Sequence, residues 1–472
     1  MPRKTLAALV LCFSLTACAT RHYDAVALDA ASSAKALEAR SLDAPDLKRY
    51  VESRYRGTEA LAWPPRQWTL DLLTLVAFHF NADLEAARAK LAVAQAAVTT
   101  AGQRPNPTLQ LPLQRARNPA DGASPWTLGL VLDIPIETHG KRDDRIAEAT
   151  HLATAARLQV ANAAWNLRSQ LREQLLASGS HAERAKLLRQ QVELDQSLVV
   201  LLQKRLQEGY LSARDLHQQQ LALIQSNKEL LGARRESASA RIKVAELLGL
   251  KPSALDGMEL DLAGFVEQDP PLPVAQLQAL ALLNRADVLE ALAAYEASQA
   301  ALQLEVARQY PDVHLGPGYT LDQGVRKPGF DFSGIALPVF NRNEGPIAEA
   351  EARRLQAAAG VKRAQARAWS ELDTGLMAYR IARDALDQAG KQFMLQREQL
   401  AGTQRAFELG EEDRVTLELH RKTALSARLA EFDASVQVQQ ALGRIEDAIQ
   451  RPISAIDRPF AQQDPTRQAY PR

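Results

Sequence analysis

The spacing of apolar positions changes along the chain and predicts a series of structural elements. Apolar residues spaced three and four apart predict helices over about residues 70–104 and 274–309, with breaks near Asn81 and Asn284. Prolines follow both helices and end them, because proline lacks an amide hydrogen and disfavours helix in the preceding residue; these are Pro105, Pro107 and Pro311.

Beyond these prolines the period becomes two, as in strands with one apolar face. Segments rich in Gly, Pro, Asp and Asn at residues 115–125 and 322–329 predict hairpin loops between the strands. The four predicted strands are 108–114 around Pro112, 126–136, 313–321, and 330–339 with a slip of the alternation near Gly334 that indicates a bulge.

Each strand pair is followed by a long proline-free segment with small residues at coiled-coil spacing. These segments cover about residues 143–208 and 347–409, and a helix of about 65 residues is about 100 Å long. Gly179 could break the first helix. Gly209 and Gly410 follow the helices where a left-handed cap residue is needed. New helices then start at Ser212 and Asp413 and run back to about residues 248 and 449, which predicts one antiparallel hairpin in each half.

The two halves repeat each other. Residues 73–111 align with 277–315 at an offset of 204, and the offset falls to 201 by Gly209 and Gly410, with the shifts confined to loops. We therefore expect a duplicated unit. The predicted organisation is a signal peptide (1–17), a lipid-anchored leader (18–66), repeat 1 (67–250, strands about 108–136, hairpin about 143–249), a linker (251–273), repeat 2 (274–450, strands about 312–339, hairpin about 345–450) and an extended tail (451–472).

The beginning of the chain predicts export. Arg3 and Lys4 precede an apolar run that ends in Leu-Thr-Ala-Cys at residues 15–18, the layout of a signal peptide. The string resembles the lipobox of bacterial lipoproteins, which implies that Cys18 carries the lipid, and Ala19 after it resembles outer-membrane sorting. The alternative is an ordinary signal peptide. Since the other cysteine, Cys12, would be removed, we expect neither a disulfide nor a thiol metal site in the mature chain.

Composition limits both the possible partners of the protein and its class of fold. The 57 basic and 56 acidic residues balance, which argues against a nucleic-acid partner, and the 5% aromatic content fits close-packed helices rich in Ala and Leu. After Cys18 no apolar run is long enough for a membrane-spanning helix, so only strands could cross a bilayer. Four strands cannot close a barrel, so the sheet either lies in a soluble core or is completed by other copies of the chain.

The sequence gives no sign of an enzyme, and we expect no cofactor and no metal site. There is no phosphate-binding glycine loop and no nucleophile elbow. The eight histidines show no metal-ligand spacing; they are His22, His79, His139, His151, His181, His217, His314 and His420.

At this point the sequence resembles TolC-like outer membrane efflux proteins. The resemblance rests on the duplicated layout, Asn-Arg-Ala-Asp at 284–287, Leu-Pro-Val-Phe at 337–340 and Glu-Gly-Tyr-Leu-Ser-Ala-Arg-Asp at 208–215. It implies a mainly α fold with a small membrane β-barrel, a homotrimer with a twelve-stranded barrel, and a periplasmic tunnel of helical hairpins. It also implies a periplasmic adaptor and an inner-membrane pump, of the RND type, as partners.

The same resemblance implies a gate at the hairpin tips. Asp215 lies six positions after Gly209, where the family often has a gate carboxylate, whereas the second half has Thr416 at the matching place. Compensation of the helix dipole is the alternative role for these acidic residues. The candidate tip residues are Gly209, Arg214, Asp215, Gly410, Glu411, Glu412 and Asp413.

Two further strings resemble the CzcC-like branch of the family, which serves heavy-metal efflux. They are Glu-Thr-His-Gly-Lys-Arg at 137–142 with Arg145, and Phe-Asn-Arg-Asn-Glu-Gly at 340–345. Their place at the strand-to-helix junctions suggests architecture rather than contact with cargo. The favoured function is a passive outer membrane exit duct; the alternative is a periplasmic adaptor or structural coiled-coil lipoprotein.

Overall fold

A computed structural model describes residues 22–55, 62–117, 122–260, 270, 272–332 and 336–453. The predicted signal peptide, the lipid site at Cys18, the slip near Gly334 and nearly all of the predicted tail lie outside these residues. The chain divides into residues 1–41 and 42–472. In the first unit, helix α1 (Ala30–Glu38) is capped by Asp29, whose carboxylate accepts hydrogen bonds from the amides of Ala31 and Ser32.

The second unit contains the duplicated helices. Its helices are α2 (Pro45–Glu52), α3 (Leu70–Phe80), α4 (Ala82–Ala101), α5 (Lys141–Gln207), α6 (Ala213–Leu247), α7 (Val274–Leu283), α8 (Ala286–Ala307), α9 (Glu344–Glu408) and α10 (Arg414–Ile449). The breaks near Asn81 and Asn284 are confirmed. Gly179 does not interrupt α5, which is continuous over 67 residues.

Two sheets accompany the helices. A small parallel pair joins β1 (Gln67–Trp68) to β5 (Glu259–Leu260). The larger sheet is antiparallel in the order β2-β4-β6-β7, with β3 also paired to β4. Its strands are β2 (Thr108–Gln110), β3 (Leu113–Arg115), β4 (Trp126–Ile136), β6 (Val313–Asp322) and β7 (Val325–Phe332).

Two strand predictions need correction. The first strand is divided at Pro112, which cannot donate a hydrogen bond to the ladder and instead packs over Gly129. The last strand lies earlier than predicted, since it covers Val325–Phe332 and residues 336–340 are not in a strand. The predicted loop at 322–329 is in fact a two-residue turn at Gln323 and Gly324, both with positive φ. Its flanking residues continue the ladder.

The register of the large sheet gives it one apolar face. Leu113, Leu128 and Leu321 are cross-strand neighbours, as are Leu130 and Tyr319. The other face carries glycine and polar residues such as Thr127, Thr320, Asp133 and His314, with a few apolar exceptions. Most of the large side chains on the apolar face are exposed in a single chain, among them Leu109, Leu113, Trp126, Leu128, Leu130, Ile136, Tyr319 and Leu321.

The long helices form two hairpins joined into one layer. Helix α5 packs against α6, and α9 against α10, through leucine and alanine side chains, while α5 also contacts α10, α8 and α4. Near the sheet the helix order is α4-α5-α8-α9, and toward the hairpin tips it is α6-α5-α10-α9. The outer helices of this layer are therefore α4 and α6 at one edge and α9 at the other.

At the helix break of each repeat, one side chain connects the broken helix to the end of the return helix. The residue that makes this connection differs between the repeats. The side-chain amide of Asn81 donates to the carbonyl of Leu247 at the end of α6, 3.1 Å away. Arg285, at the equivalent position, donates to the carbonyl of Ala448 near the end of α10, also at 3.1 Å. Each broken helix is thus fixed to the end of the return helix of its own repeat.

Candidate functional site

The tip of the first hairpin is a compact turn whose polar groups are used locally. Gly209 has φ of +79° and the amide of Tyr210 donates to the carbonyl of Arg205, which ends α5. Ser212 caps α6 by accepting from the amide of Asp215, and its hydroxyl donates to the Asp215 carboxylate over 2.6 Å. Asp215 is therefore engaged with Ser212, and it forms no ion pair with another described residue.

The tip of the second hairpin is connected to the first. Gly410 has φ of +77°, and Asp413 caps α10 by accepting from the amide of Thr416. Asp413 also forms an ion pair with Arg205 of the first hairpin, with 2.9 Å between nitrogen and oxygen. These contacts, first the Thr416 amide and then Arg205, hold the pKa of Asp413 below its usual value. Arg214, Glu411 and Glu412 are exposed.

The predicted tip glycines and helix caps are thus present, and Thr416 has a backbone role instead of a gate carboxylate. The sequence did not indicate the ion pair between Arg205 and Asp413. Both residues lie within one turn of their helix ends, so only the packing of the two hairpins could bring them together.

Charged contacts continue along the seam between α5 and α10, away from the tips. Asp195 is fully buried; its carboxylate lies 2.6 Å from Lys422 Nζ and accepts from Gln219 and Ser226 of α6. Further along the seam are the pairs Arg184 with Asp433 and Arg172 with Glu446. Sequence reasoning missed this seam, although a charged residue among seam leucines, such as Asp195 after Leu194, is a signal that could have revealed it.

Arg172 fits in the seam because of a glycine on the opposite helix. A Cβ added to Gly443 would lie only 2.2 Å from a guanidinium nitrogen of Arg172, so a side chain at this position would displace the guanidinium from its place in the seam. Arg172 donates to the carbonyl of Gln439. Burial lowers the pKa of Arg172, and the nearby charge of Glu446 only partly offsets this effect. The seam therefore combines charge pairing with close helix approach.

The junction between sheet and helices is fixed by the strings that resemble the CzcC-like branch. Glu137 pairs with both terminal nitrogens of Arg145, and this hydrogen bonding lowers the pKa of Glu137. Lys141 Nζ donates to the carbonyl of Tyr310 at 2.6 Å and to Asp312 at 2.7 Å. The expected architectural role of the first string agrees with these contacts.

The second string acts in the same way. Asn343 has φ of +63° before α9, and its amide donates to the backbone and the side chain of Glu305 at 2.8 and 2.9 Å. Both strand-to-helix junctions thus fix the first turn of a long helix against an earlier element. Asn343 thereby holds the start of α9 against α8, and Lys141 holds the start of α5 against the segment before β6.

The Lys141–Asp312 contact predicts a pH-dependent stability. Burial raises the pKa of Asp312, but the hydrogen bonds from Lys141 and the Thr138 amide outweigh it, so that the pKa lies below its ordinary 3.8. A carboxylate with a depressed pKa stabilises the fold above its unfolded pKa, and this contribution is lost as the pH falls through the folded value. Asp312→Asn should therefore lower the free energy of unfolding by about 1–2 kcal/mol at neutral pH, a value discounted for partial exposure.

The measurement is denaturant unfolding at neutral pH and at pH values falling below about 4, the region in which carboxylates of this kind take up protons. The difference between the two proteins should shrink as the pH falls. Asp387→Asn on the exposed face of α9 is the control, because its pair with Lys391 is solvated. A difference that stays constant over the whole range would contradict the assigned role.

None of the helices described by the structure is long and apolar enough to cross a membrane. Within the same residues, no three or more His, Cys, Asp or Glu side chains are grouped so that they could hold a metal ion.

Two segments of the chain match the model of a known protein family, and this match decides which family the chain belongs to. The family model described as outer membrane efflux protein matches residues 77–250 and 277–449, which contain both hairpins and most of the large sheet. The chain belongs to the outer membrane efflux protein family. The resemblance to TolC-like proteins is thereby confirmed, and this is a family of transport channels of the outer membrane rather than of enzymes.

Two proteins with similar sequences are a metal resistance protein and a pyoverdine export protein, and this outer membrane efflux protein is compared with each in turn. It is 26% identical to the cobalt-zinc-cadmium resistance protein CzcC of Cupriavidus metallidurans over 297 residues, which are 62% of this chain and 69% of CzcC. It is 24% identical to the pyoverdine export outer membrane protein OpmQ of Pseudomonas aeruginosa over 485 residues, which cover 94% of this chain and 97% of OpmQ.

Solved structures show the same fold. The outer membrane protein VceC of Vibrio cholerae matches with a TM-score of 0.66 at 19% identity, covering 81% of this chain and 96% of VceC. The mainly helical, TolC-like fold expected from the sequence is therefore confirmed.

Proposed function

We propose that this protein is the outer membrane exit duct of a tripartite efflux system. It would act as a homotrimer whose sheets form one twelve-stranded barrel in the membrane and whose hairpins form a periplasmic tunnel. A periplasmic adaptor and an RND-type inner-membrane pump would supply the cargo and the energy. The observation that carries this proposal is one sheet with an apolar face and two edges that pair with no further strand of the described residues. This sheet is continuous with two helical hairpins about 100 Å long.

The apolar face supports placement of the sheet in lipid. Its leucine, aromatic and proline side chains are exposed over much of β4 and β6, strands of 11 and 10 residues, and become half-buried toward the helices. Transmembrane strands have this length and alternate lipid-facing with lumen-facing residues. The opposite face, with its glycine, threonine and aspartate residues, would line the lumen.

The unpaired edges support a ring of identical chains. Strands β2 and β3 form one edge and β7 the other, and a bilayer tolerates neither edge unpaired. The edges differ, so pairing β7 of one copy with β2 and β3 of the next is a heterologous contact, which gives a closed ring when the rotation between copies closes. Three copies of a four-strand sheet would form a barrel of twelve strands, counting β2 and β3 as one interrupted strand.

The helix layer has unpartnered apolar stripes at the same two edges. Helix α6 exposes one stripe and α9 exposes the other. Burying such side chains against a neighbouring copy would be favourable. The stripes consist of Leu221, Ile224, Leu231 and Ile242 on α6, and of Met377, Ile381, Met394 and Leu395 on α9.

The two repeats, residues 67–250 and 274–450, would each supply half of the barrel strands and one hairpin per chain. Before these repeats, Cys18 would attach the protein to the outer membrane through a lipid, since it ends the Leu-Thr-Ala-Cys string.

Heavy-metal cations are the cargo class that we propose. This class is supported by the likeness to CzcC, a cobalt-zinc-cadmium resistance protein.

The proposal is tested with the full-length protein purified from outer membranes. We expect trimers that resist heating in detergent and steady ion conductance in planar bilayers. A monomer released from membranes by removing the lipid alone would overturn the channel and favour the adaptor alternative. Deleting the gene and comparing tolerance to metals, dyes and antibiotics tests the cargo. Unchanged tolerance to every metal together with lost tolerance to dyes or antibiotics would exclude metal cations.

We infer that the tip residues form the periplasmic gate, with Gly209 and Gly410 setting the turns. Arg214, Asp215, Glu411, Glu412 and Asp413 would supply its charges. The predicted effect concerns Asp215, whose exposed carboxylate could accept a hydrogen bond or ion pair from a neighbouring copy. Asp215→Ala should shift the closed–open equilibrium toward open by about five-fold for each of the three links lost in a trimer, since one such link is worth about 1 kcal/mol.

Single-channel conductance in planar bilayers measures this shift. Ser212→Ala is the matched control, because it removes the local cap while the Asp215 carboxylate remains. If both variants open the channel equally, the helix cap and not the carboxylate is responsible, and the gate role of Asp215 is rejected.

A further inference from the structure

The apolar face of the large sheet carries two arginines at one end. Register places Arg115 beside Trp126 and Arg326 beside Leu321, both on the face formed by Leu113, Leu128 and Leu321. They are the charged residues that the described strands place on this face. Both belong to the last two residue pairs before the loops, at the end of the sheet farthest from the helices.

Neither arginine has a counter-ion among the described residues. Both side chains are exposed, and within the described part of the chain neither makes an ion pair or a side-chain hydrogen bond. Arg115 lies over the Trp126 ring, with 5.4 Å from the guanidinium carbon to the ring centroid. By contrast Lys327, which follows Arg326 but points to the polar face, is paired with Asp322 at 2.8 Å.

The two arginines lie on opposite edge strands, Arg115 on β3 and Arg326 on β7. If the edges pair between copies, as in the proposed trimer on which this inference rests, Arg326 of one copy and Arg115 of the next come onto adjacent strands. They would share the same face and the same end of the barrel. Like charges on neighbouring strands repel each other unless an anion lies between them.

We propose that these two arginines form a phosphate-binding site between copies for a phosphorylated lipid of the outer leaflet. Their end of the sheet faces away from the periplasmic helices, which places it at the outer surface of the membrane. Guanidinium groups bind phosphate oxygens in a bidentate manner, and their long apolar stems can lie along a lipid-facing surface. The adjacent leucine side chains would contact the acyl chains of the same lipid.

The test uses full-length trimers in nanodiscs of phosphatidylethanolamine containing a small amount of lipid A, either diphosphorylated or dephosphorylated. Native mass spectrometry counts the retained lipid. Wild type should prefer the phosphorylated form, and Arg115→Gln or Arg326→Gln should each weaken its retention about five-fold, the value for one basic residue at a charged membrane surface. Lys327→Gln, on the opposite face of the same strand, is the matched control and should leave retention unchanged.

Mixed trimers test whether the site lies between copies. A trimer that contains both single variants has one boundary at which an intact Arg326 meets an intact Arg115. It should regain one tightly held lipid, which neither variant holds as a homotrimer. No recovery in mixed trimers, or equal retention of both lipid forms by wild type, would overturn the site.

The proposed channel is assessed separately by the conductance of the same preparations. Conducting trimers without preference for phosphorylated lipid would reject the lipid site alone. Protein that forms neither trimers nor conductance would reject the proposed function itself.

Discussion

Arg285→Ala should lower the free energy of unfolding by about 3–5 kcal/mol, because it breaks a buried charge network. The Arg285 side chain is 5% exposed; it contacts Asp287 through two nitrogens at 2.9 and 2.7 Å and Glu371 of α9 at 2.6 Å. It also donates to the carbonyl of Ala448. The substitution removes one donor from each of two carboxylates and from a buried carbonyl, at a residue that connects α8, α9 and α10. Glu371 keeps its pair with Arg367, and Asp287 keeps the hydrogen bond from the Val288 amide.

Denaturant unfolding followed by far-UV circular dichroism measures this loss. Arg353→Ala on the exposed face of α9 is the control and should cost less than about 1 kcal/mol, since its pair with Glu349 is solvated. Glu371→Gln should cost less than Arg285→Ala, because Arg285 keeps its two contacts to Asp287. A loss of less than about 1 kcal/mol for Arg285→Ala would show that this network does not stabilise the fold.

Lys422→Met should have the second large effect, also about 3–5 kcal/mol, because it leaves Asp195 as an unpaired buried charge. The Asp195 side chain is fully buried, whereas that of Lys422 is 24% exposed. Asp195→Asn should therefore cost less, since Lys422 can turn toward solvent and the asparagine can still hydrogen-bond with Gln219 and Ser226. The double variant should recover most of the stability lost in Lys422→Met.

A double-mutant cycle in denaturant unfolding measures the coupling between Asp195 and Lys422. Lys391→Met is the matched control, because its pair with Asp387 lies on an exposed helix face. Equal losses for Lys422→Met and Lys391→Met, or additive effects in the cycle, would contradict a stabilising contact between the hairpins at this position.

The parts of the fold that were predicted well are those that depend on neighbours in the chain. Helix breaks, capping residues and tip glycines follow from local hydrogen bonding and from the left-handed conformation that glycine adopts easily. The strand errors also have local causes. The composition of residues 322–329 predicts a loop, but the turn needs only Gln323 and Gly324. Pairing with β6 holds the following residues in a strand.

The candidate site was predicted unevenly for the same reason. Gly209, Gly410 and the caps at Ser212 and Asp413 are visible as sequence motifs. The pairing of Asp413 with Arg205 is not, because 208 positions separate the two residues, by subtraction of their numbers, and their meeting depends on how two hairpins align. The two arginines on the apolar sheet face became apparent only when the strand register was known.

The sequence by itself determined the period of each segment, the duplication and the positions of the turns, because side-chain periodicity and capping act over a few residues. Only the tertiary structure decided which charges meet across the α5–α10 seam and which edges of sheet and helix layer are left open. Those contacts join residues that are distant in the chain, and their geometry depends on the packing of whole helices and on strand register.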